Sequence, residues 1–230
     1  MRYCLTFIVI LGFVSSCANQ EEAAPALSVI DYLPLKVGAF HVYSVEETIT
    51  DQVSGETTSI YELKTFVSDS FPDPEGNLTY VIQRLKRDNS QSPWANLPTW
   101  SARISGFQAI INEENTSYLK IQAPIAESKA WNGNLPNTME DDTYSMVEVG
   151  VPYAIDPANS FANTITILQN DNKDLIVFQD KRSEVYAKTI GLVYREILQL
   201  EYCTDPNCLG QQKVNKGLKY KQTIKEYGGL

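Results

Sequence analysis

The sequence predicts a mainly β fold, a curved antiparallel sheet forming a half-barrel or open barrel, with little helix. Three observations carry this. Apolar runs are short and rich in aromatic and β-branched residues, and they alternate with a period of two. Clusters of Gly, Pro, Asn and Asp break them at hairpin-like intervals, leaving about ten strands. Several strands are apolar on both faces: Ile60 and Phe66 oppose Tyr61 and Leu63, and Val193 and Ile197 oppose Leu192, Leu198 and Leu200. A flat open sheet would leave one such face in water, at ~25 cal/mol per Å² of apolar surface. Parallel pairing would need long crossovers, usually helical, and no long segment has a 3.6-residue period.

The chain opens on a leader. Arg2 and the amino terminus give a short positive region, followed by a ten-residue apolar run, Leu5–Val14. That run suits a signal peptide and falls well short of the ~20 residues of a spanning helix. Val14-Ser15-Ser16-Cys17 resembles the bacterial lipobox. The resemblance implies that the Cys17 sulfur carries a diacylglycerol, that the leader 1–16 is removed, and that the new amine is acylated, commonly with palmitate. Acyl chains at ~0.8 kcal/mol per buried CH₂ make a durable anchor. Residues 17–31, small, polar and acidic, then read as the lipidated cysteine and a flexible tether. Glu21-Glu22 look like a weak form of the acidic cluster that follows the cysteine in surface-exported lipoproteins of the Bacteroidota.

Residues 32–230 read as a single β-rich domain, within the size range of such folds. Pro34 and Gly38 mark turns before a first strand, Phe40–Thr50. Thr57–Ser68 is a second strand, with Phe71–Asn77 as a loop, and Leu78–Arg87 is the third. Trp94–Ser105 is interrupted at Pro98, which places it at an edge or at a bulge. Phe107–Asn112 and Ser117–Ala123 form a hairpin around Glu113-Glu114-Asn115. Residues 124–138 are irregular, with Trp131 expected as a plug on the concave side and a candidate ligand-groove residue. Thr143–Val149 and Thr164–Gln169 are further strands. Val185–Thr189 and Leu192–Tyr202 are split at Gly191, and Val214–Tyr227 closes the domain with Lys216-Gly217 as a turn.

Hydrophobic residues make up 43% of the chain, enough for a core and too many for disorder. The net charge is −9, and losing Arg2 with the leader takes it to −10. This argues against a nucleic-acid partner and against a polybasic membrane patch, so the membrane contact runs through the lipid anchor. Cys4 leaves with the leader and Cys17 takes lipid. Cys203 and Cys208 remain, and an even pair in an exported chain points to a disulfide. Two thiolates alone would be an incomplete zinc set.

The residues offer little chemistry. His41 is the sole histidine and reads as a packing residue. There is no Gly-x-Ser-x-Gly turn and no phosphate-cradling glycine loop. Asn170-x-Asn172-x-Asp174 begins like a calcium loop, but Leu175 and Lys181 stand where that loop needs glycine and a bidentate acid. Glu113-Glu114 and Glu140-Asp141-Asp142 read as solvated loops. Trp94, Trp100, Trp131 and the thirteen tyrosines read as packing before ligand lining.

Three stretches resemble an uncharacterised family of Bacteroidota lipoproteins. They are Tyr32-Leu33-Pro34-Leu35-Lys36-Val37-Gly38 with Tyr43; Glu184 to Glu196, EVYAKTIGLVYRE; and Tyr202-Cys203-Thr-Asp-Pro-Asn-Cys208 with the Gly217–Tyr227 tail. His41 stands at the family's usual tryptophan, and Thr189 at a usual glycine, where a backbone bend is thereby expected to be missing. The pattern is also similar, at fold level, to lipoprotein-carrier-type half-barrels. The expectation is therefore a non-enzymatic, outer-membrane, lipid-anchored lipoprotein without metal or cofactor, facing the periplasm or the cell surface. It would act as a binding or assembly module whose partner is an envelope protein or an apolar small molecule. The alternative is a periplasmic or surface hydrolase using His41 or a carboxylate pair.

Overall fold

A computed structural model describes residues 27–230 apart from 75, 158 and 173. The leader, Cys17 and most of the tether lie outside the described residues. A four-residue helix, α1 (Val29–Tyr32), precedes the first strands, β1 (Phe40–Asp51), β2 (Gly55–Pro72) and β3 (Leu78–Arg87). Then come β4 (Ala95–Ser105), β5 (Gln108–Glu113), β6 (Thr116–Gln122) and β7 (Ala130–Asn132). The chain ends with β8 (Thr143–Asp156), β9 (Asn159–Asp171), β10 (Phe178–Ala187), β11 (Gly191–Tyr202) and β12 (Val214–Gly228). The result is one 12-stranded sheet in the order β6-β5-β4-β3-β2-β1-β12-β11-β10-β9-β8-β7. All its pairs are antiparallel. The fold is thus two six-stranded meanders joined where β1 meets β12, curled into a nearly closed barrel with one seam, between β6 and β7.

Several local expectations are refined. β2 runs on through Phe71, and β8 and β9 are longer than their apolar cores. Pro98 lies in an interior strand, and the ladder absorbs it as a bulge: Ile82 faces Trp100 while Arg84 faces Leu97. Gly217 is no turn. It sits inside β12 opposite Leu200, where a side chain would collide with the Gln199 carbonyl, so glycine permits close strand approach. The bend at Thr189 is present, with a positive φ of 64° held by a hydrogen bond from its N–H to the Asp31 carbonyl. Residues 29–31, expected in the tether, belong to the folded domain: Val29 and Tyr32 are fully buried, and the Tyr32 hydroxyl donates to Asn163 at 2.6 Å.

The seam is held by few bonds. The Leu119 N–H donates to the Gly133 carbonyl at 2.8 Å, and the Leu119 carbonyl accepts from Trp131 Nε1 at 2.8 Å. Asn137 adds a bond to the Ser117 carbonyl. Trp131 is therefore inside, packed edge-on against Tyr144 in a core that includes Leu119, Ile121, Met146, Ile165 and Ile167. The Gly133 backbone lies so near the Tyr144 ring that an added Cβ would stand 2.6 Å from Cε1. At the tip of the β11–β12 hairpin, Cys203 and Cys208 are joined as a disulfide with Cα atoms 5.9 Å apart. Asp205 shapes that loop by accepting from the Asn207 and Cys208 amides.

Three outcomes follow for stability. Trp131→Phe leaves the Leu119 carbonyl unpaired at a buried site and should cost ~1–3 kcal/mol in urea unfolding. Gly133→Ala should cost a similar ~1–3 kcal/mol by overpacking against Tyr144, while Val53→Ala on the surface stays within ~0.5 kcal/mol. Non-reducing mass mapping should recover Cys203 joined to Cys208, with reduction costing ~2 kcal/mol by loop entropy. Two free thiols in protein taken from the envelope would contradict the pairing.

Candidate functional site

Four charged side chains meet inside the barrel, Lys120 among them because it stands at the register shift between β5 and β6, where Ala109 faces Ile121 and Ile110 faces Leu119. Glu113 ends β5, Lys120 lies on β6, Glu184 on β10 and Arg195 on β11. Lys120 Nζ is 3.0 Å from Glu113 and 3.1 Å from Glu184; Arg195 Nη2 is 2.8 Å from Glu113 and 2.5 Å from Glu184. The Tyr186 hydroxyl donates to the second Glu184 oxygen at 2.6 Å. Glu184 is 1% exposed and Lys120 4%, so these charges are paired with each other instead of with water. The contacts join β5–β6 to β10–β11 across the interior, which requires those walls to stand on the order of 10 Å apart, as packed sheets do.

The electrostatics are those of a closed cluster. Burial pushes the Glu184 carboxyl up, but Arg195, Lys120 and the Tyr186 hydroxyl outweigh it and hold it at about 2. Burial likewise raises Glu113 and is outweighed by Arg195 and Lys120, so its carboxyl also titrates below the usual range. Burial disfavours the charged Arg195, yet Glu113 and Glu184 raise its pKa well above the ordinary value. Burial and the Glu184 charge push the Tyr186 phenol far up.

Beside this cluster lies a cavity of about 90 Å³. Its walls include Leu33, Leu35, Phe66, Ile82 and Ile190, and its polar edge is Glu113, Arg195, Gln222 and Trp100. The segment after α1, the start of β1 and the β10–β11 turn contribute Leu33, Pro34, Leu35, His41, Ile190 and Gly191 to its lining. His41 is pinned there: its Nε2 donates to the Ile190 carbonyl at 2.6 Å, and its ring stacks on Tyr43. Burial lowers the His41 pKa, with the Ile190 carbonyl partly opposing, so the ring is neutral at pH 7. The Tyr43 hydroxyl donates to the Leu192 carbonyl at 3.0 Å.

Near the cavity, among the described residues, lie buried donors without acceptors. Trp100 Nε1, Arg195 Nε and Arg84 Nε are buried with no hydrogen-bond partner. The Arg84 guanidinium lies 3.7 Å from the centre of the Trp100 ring, and that of Arg195 is 5.9 Å from it. Glu114, the carboxylate facing Arg84, is 3.7 Å away and largely exposed.

The residues singled out in the sequence are distributed unevenly around this site. Trp131 is buried at the seam and is not among the cavity-lining residues; Trp100 is the tryptophan that lines it. The Cys203–Cys208 loop is not part of the lining either. Glu113 is no solvated loop residue, because the β5–β6 turn leaves it at the last inward position of its strand, between Lys120 and Arg195. The first two resembling stretches meet here: Leu33, Pro34 and Tyr43 from one, Tyr186, Gly191, Leu192 and Arg195 from the other, all line the cavity. Lys120 and Arg84 carried no local signal, since each is one charged residue in an alternating strand.

The chain matches no protein-family model and no curated protein. A crystal structure from Bacteroides fragilis, described as a "putative exported protein with YmcC-like fold", aligns over 84% of this chain and 96% of its own, with a TM-score of 0.47 and 14% identity.

The cluster predicts a specific acid response. Folded carboxylates held below their ordinary value of 4.5 contribute stability above it and lose that contribution as pH falls towards about 2. Glu184→Gln should therefore lower stability at pH 7 by ~3–5 kcal/mol and flatten the unfolding profile between those pH values, leaving the part due to Glu113. An unchanged slope in urea titrations across that window would count against a charged Glu184.

Proposed function

We propose that this chain is a lipid-anchored protein of the cell envelope that acts as a non-catalytic binding module, with the barrel cavity as its binding site. The observation that carries the reading is the cavity itself: apolar walls with a few polar groups are the usual lining of a small-molecule site, and at about 90 Å³ this one is sized for a small group or one end of a ligand. The tether expected from the sequence precedes α1 and the segment after it, from which Leu33, Pro34 and Leu35 line the cavity.

Two measurements test this reading. Cys17→Ser should move the protein from the membrane to the soluble fraction; unchanged membrane association would end the lipid-anchor claim. Native mass spectrometry of protein extracted from membranes should show a small-molecule adduct, absent when Ile82→Trp fills the cavity. An adduct that survives this substitution, or none in the wild type, would contradict the binding site.

A further inference from the structure

We propose that the cavity takes a neutral, apolar group and excludes charged and hydrogen-bonding ones. The proposal rests on the binding-module reading and adds the chemical class of the ligand. The hydrogen-bonding state of the wall carries it.

The polar side chains that line the cavity are committed to partners within the protein. His41 Nε2 donates to the Ile190 carbonyl, and the Tyr43 hydroxyl donates to the Leu192 carbonyl. Thr65 is hydrogen-bonded to that tyrosine. The Tyr186 hydroxyl donates to Glu184, and the Gln222 side-chain carbonyl accepts from the Tyr220 hydroxyl at 2.7 Å. Glu113 is held by Lys120 and Arg195 together. Of the buried unpaired donors among the described residues, two belong to lining side chains, Trp100 Nε1 and Arg195 Nε. Both atoms have next to no accessible surface, so neither meets an occupant. An alcohol, amide or ion placed here would give up its water without gaining an equivalent bond.

The wall offers no net charge either. Glu113 and Glu184 balance Lys120 and Arg195. Arg84 is not among the lining residues and pairs with Glu114. The remainder of the wall is largely hydrocarbon, with Leu63, Phe66, Ile82 and Ile111 facing the entry-segment residues Leu33 and Leu35. Such walls reward apolar surface removed from water and make no directional demand on it. A dry site of ~150 Å³ holds benzene, so a cavity of about 90 Å³ takes roughly four or five non-hydrogen atoms. A compact hydrocarbon meets these terms, and so does the apolar end of a longer molecule.

The test is an NMR titration of the purified protein, read at the Ile82 and Ile111 methyl groups. The probes are similar in size: cyclopentane, tetrahydrofuran, pyrrolidine (a cation at neutral pH) and propanoate. Cyclopentane should bind and raise the melting temperature. Tetrahydrofuran should bind at least about tenfold more weakly, and the two ions should leave the methyl shifts unchanged. Ile82→Trp should abolish cyclopentane binding. Ile82→Ala, which enlarges the cavity, should instead tighten benzene at least about fourfold relative to the wild type. Titration with 1-octanol separates the two sources of an apolar group. Shifts at the same methyls would assign the site to a chain end, and shifts with cyclopentane alone would assign it to compact molecules. An ion bound as tightly as cyclopentane, cyclopentane affinity unchanged in both variants, or no methyl shift at saturating cyclopentane would overturn the proposal. Were the membrane-extracted protein then to carry a charged adduct that Ile82→Trp removes, the binding-module reading would stand and this proposal alone would fall. With no adduct at all, both would fall.

Discussion

Four charges held out of water organise the inside of this barrel. Removing an ion from water costs several kcal/mol even after relaxation, and only close, fully bonded partners offset it. Glu113, Lys120, Glu184 and Arg195 meet that condition together, with Tyr186 taking the remaining Glu184 oxygen. No pair within the cluster is independent of the others, so the positions of β5, β6, β10 and β11 are fixed jointly. This matters because β6 ends the sheet at the seam, where two backbone-directed bonds at Leu119 and one at Ser117 replace a full ladder. Lys120, the residue after Leu119, supplies from the inside the tie that the seam lacks at its edge.

The same cluster sets the polarity of the cavity. Arg195 turns one nitrogen to the two glutamates and leaves Nε unpaired beside Trp100. Arg84 stacks on the Trp100 ring and pairs with Glu114 at 3.7 Å. The apolar walls come from the ordinary inward alternation of β2 and β3 and from the segment following α1. Three individually modest contacts hold the segments around the cavity: Tyr32 to Asn163, the Thr189 amide to Asp31, and His41 to Ile190. The first two link the entry segment to β9 and to the β10–β11 turn, and the third links the start of β1 to that turn.

The mainly β, antiparallel, curved architecture was legible because alternation and turn chemistry are local signals, and apolar residues on both faces demand covering. Pro98 was legible as a bulge for the same local reason, although its strand proved central. Gly217 was not, because a glycine chosen for close strand approach looks in sequence like a turn. Thr189 misled in the opposite sense: the left-handed bend is kept by its tertiary bond to Asp31 and does not need glycine. The site was legible only in part. Trp131, expected as a plug on the concave side and a ligand-groove residue, is buried with its indole N–H serving the seam, and the tryptophan lining the cavity is Trp100. The charge cluster was invisible, since Glu113 and Lys120 sit on one hairpin and Glu184 and Arg195 on another, and only closure of the sheet brings them together.

The most direct test of this account is a double-mutant cycle between β6 and β10, with Lys120→Met, Glu184→Gln and the double variant unfolded in urea at pH 7. The two side chains are 64 positions apart in sequence and 3.1 Å apart in the barrel. A cross-barrel tie predicts a coupling energy of at least ~1.5 kcal/mol, well beyond the ~0.5 kcal/mol within which independent sites add. Additivity within that limit would show that the cluster does not hold the walls together, and would contradict the account.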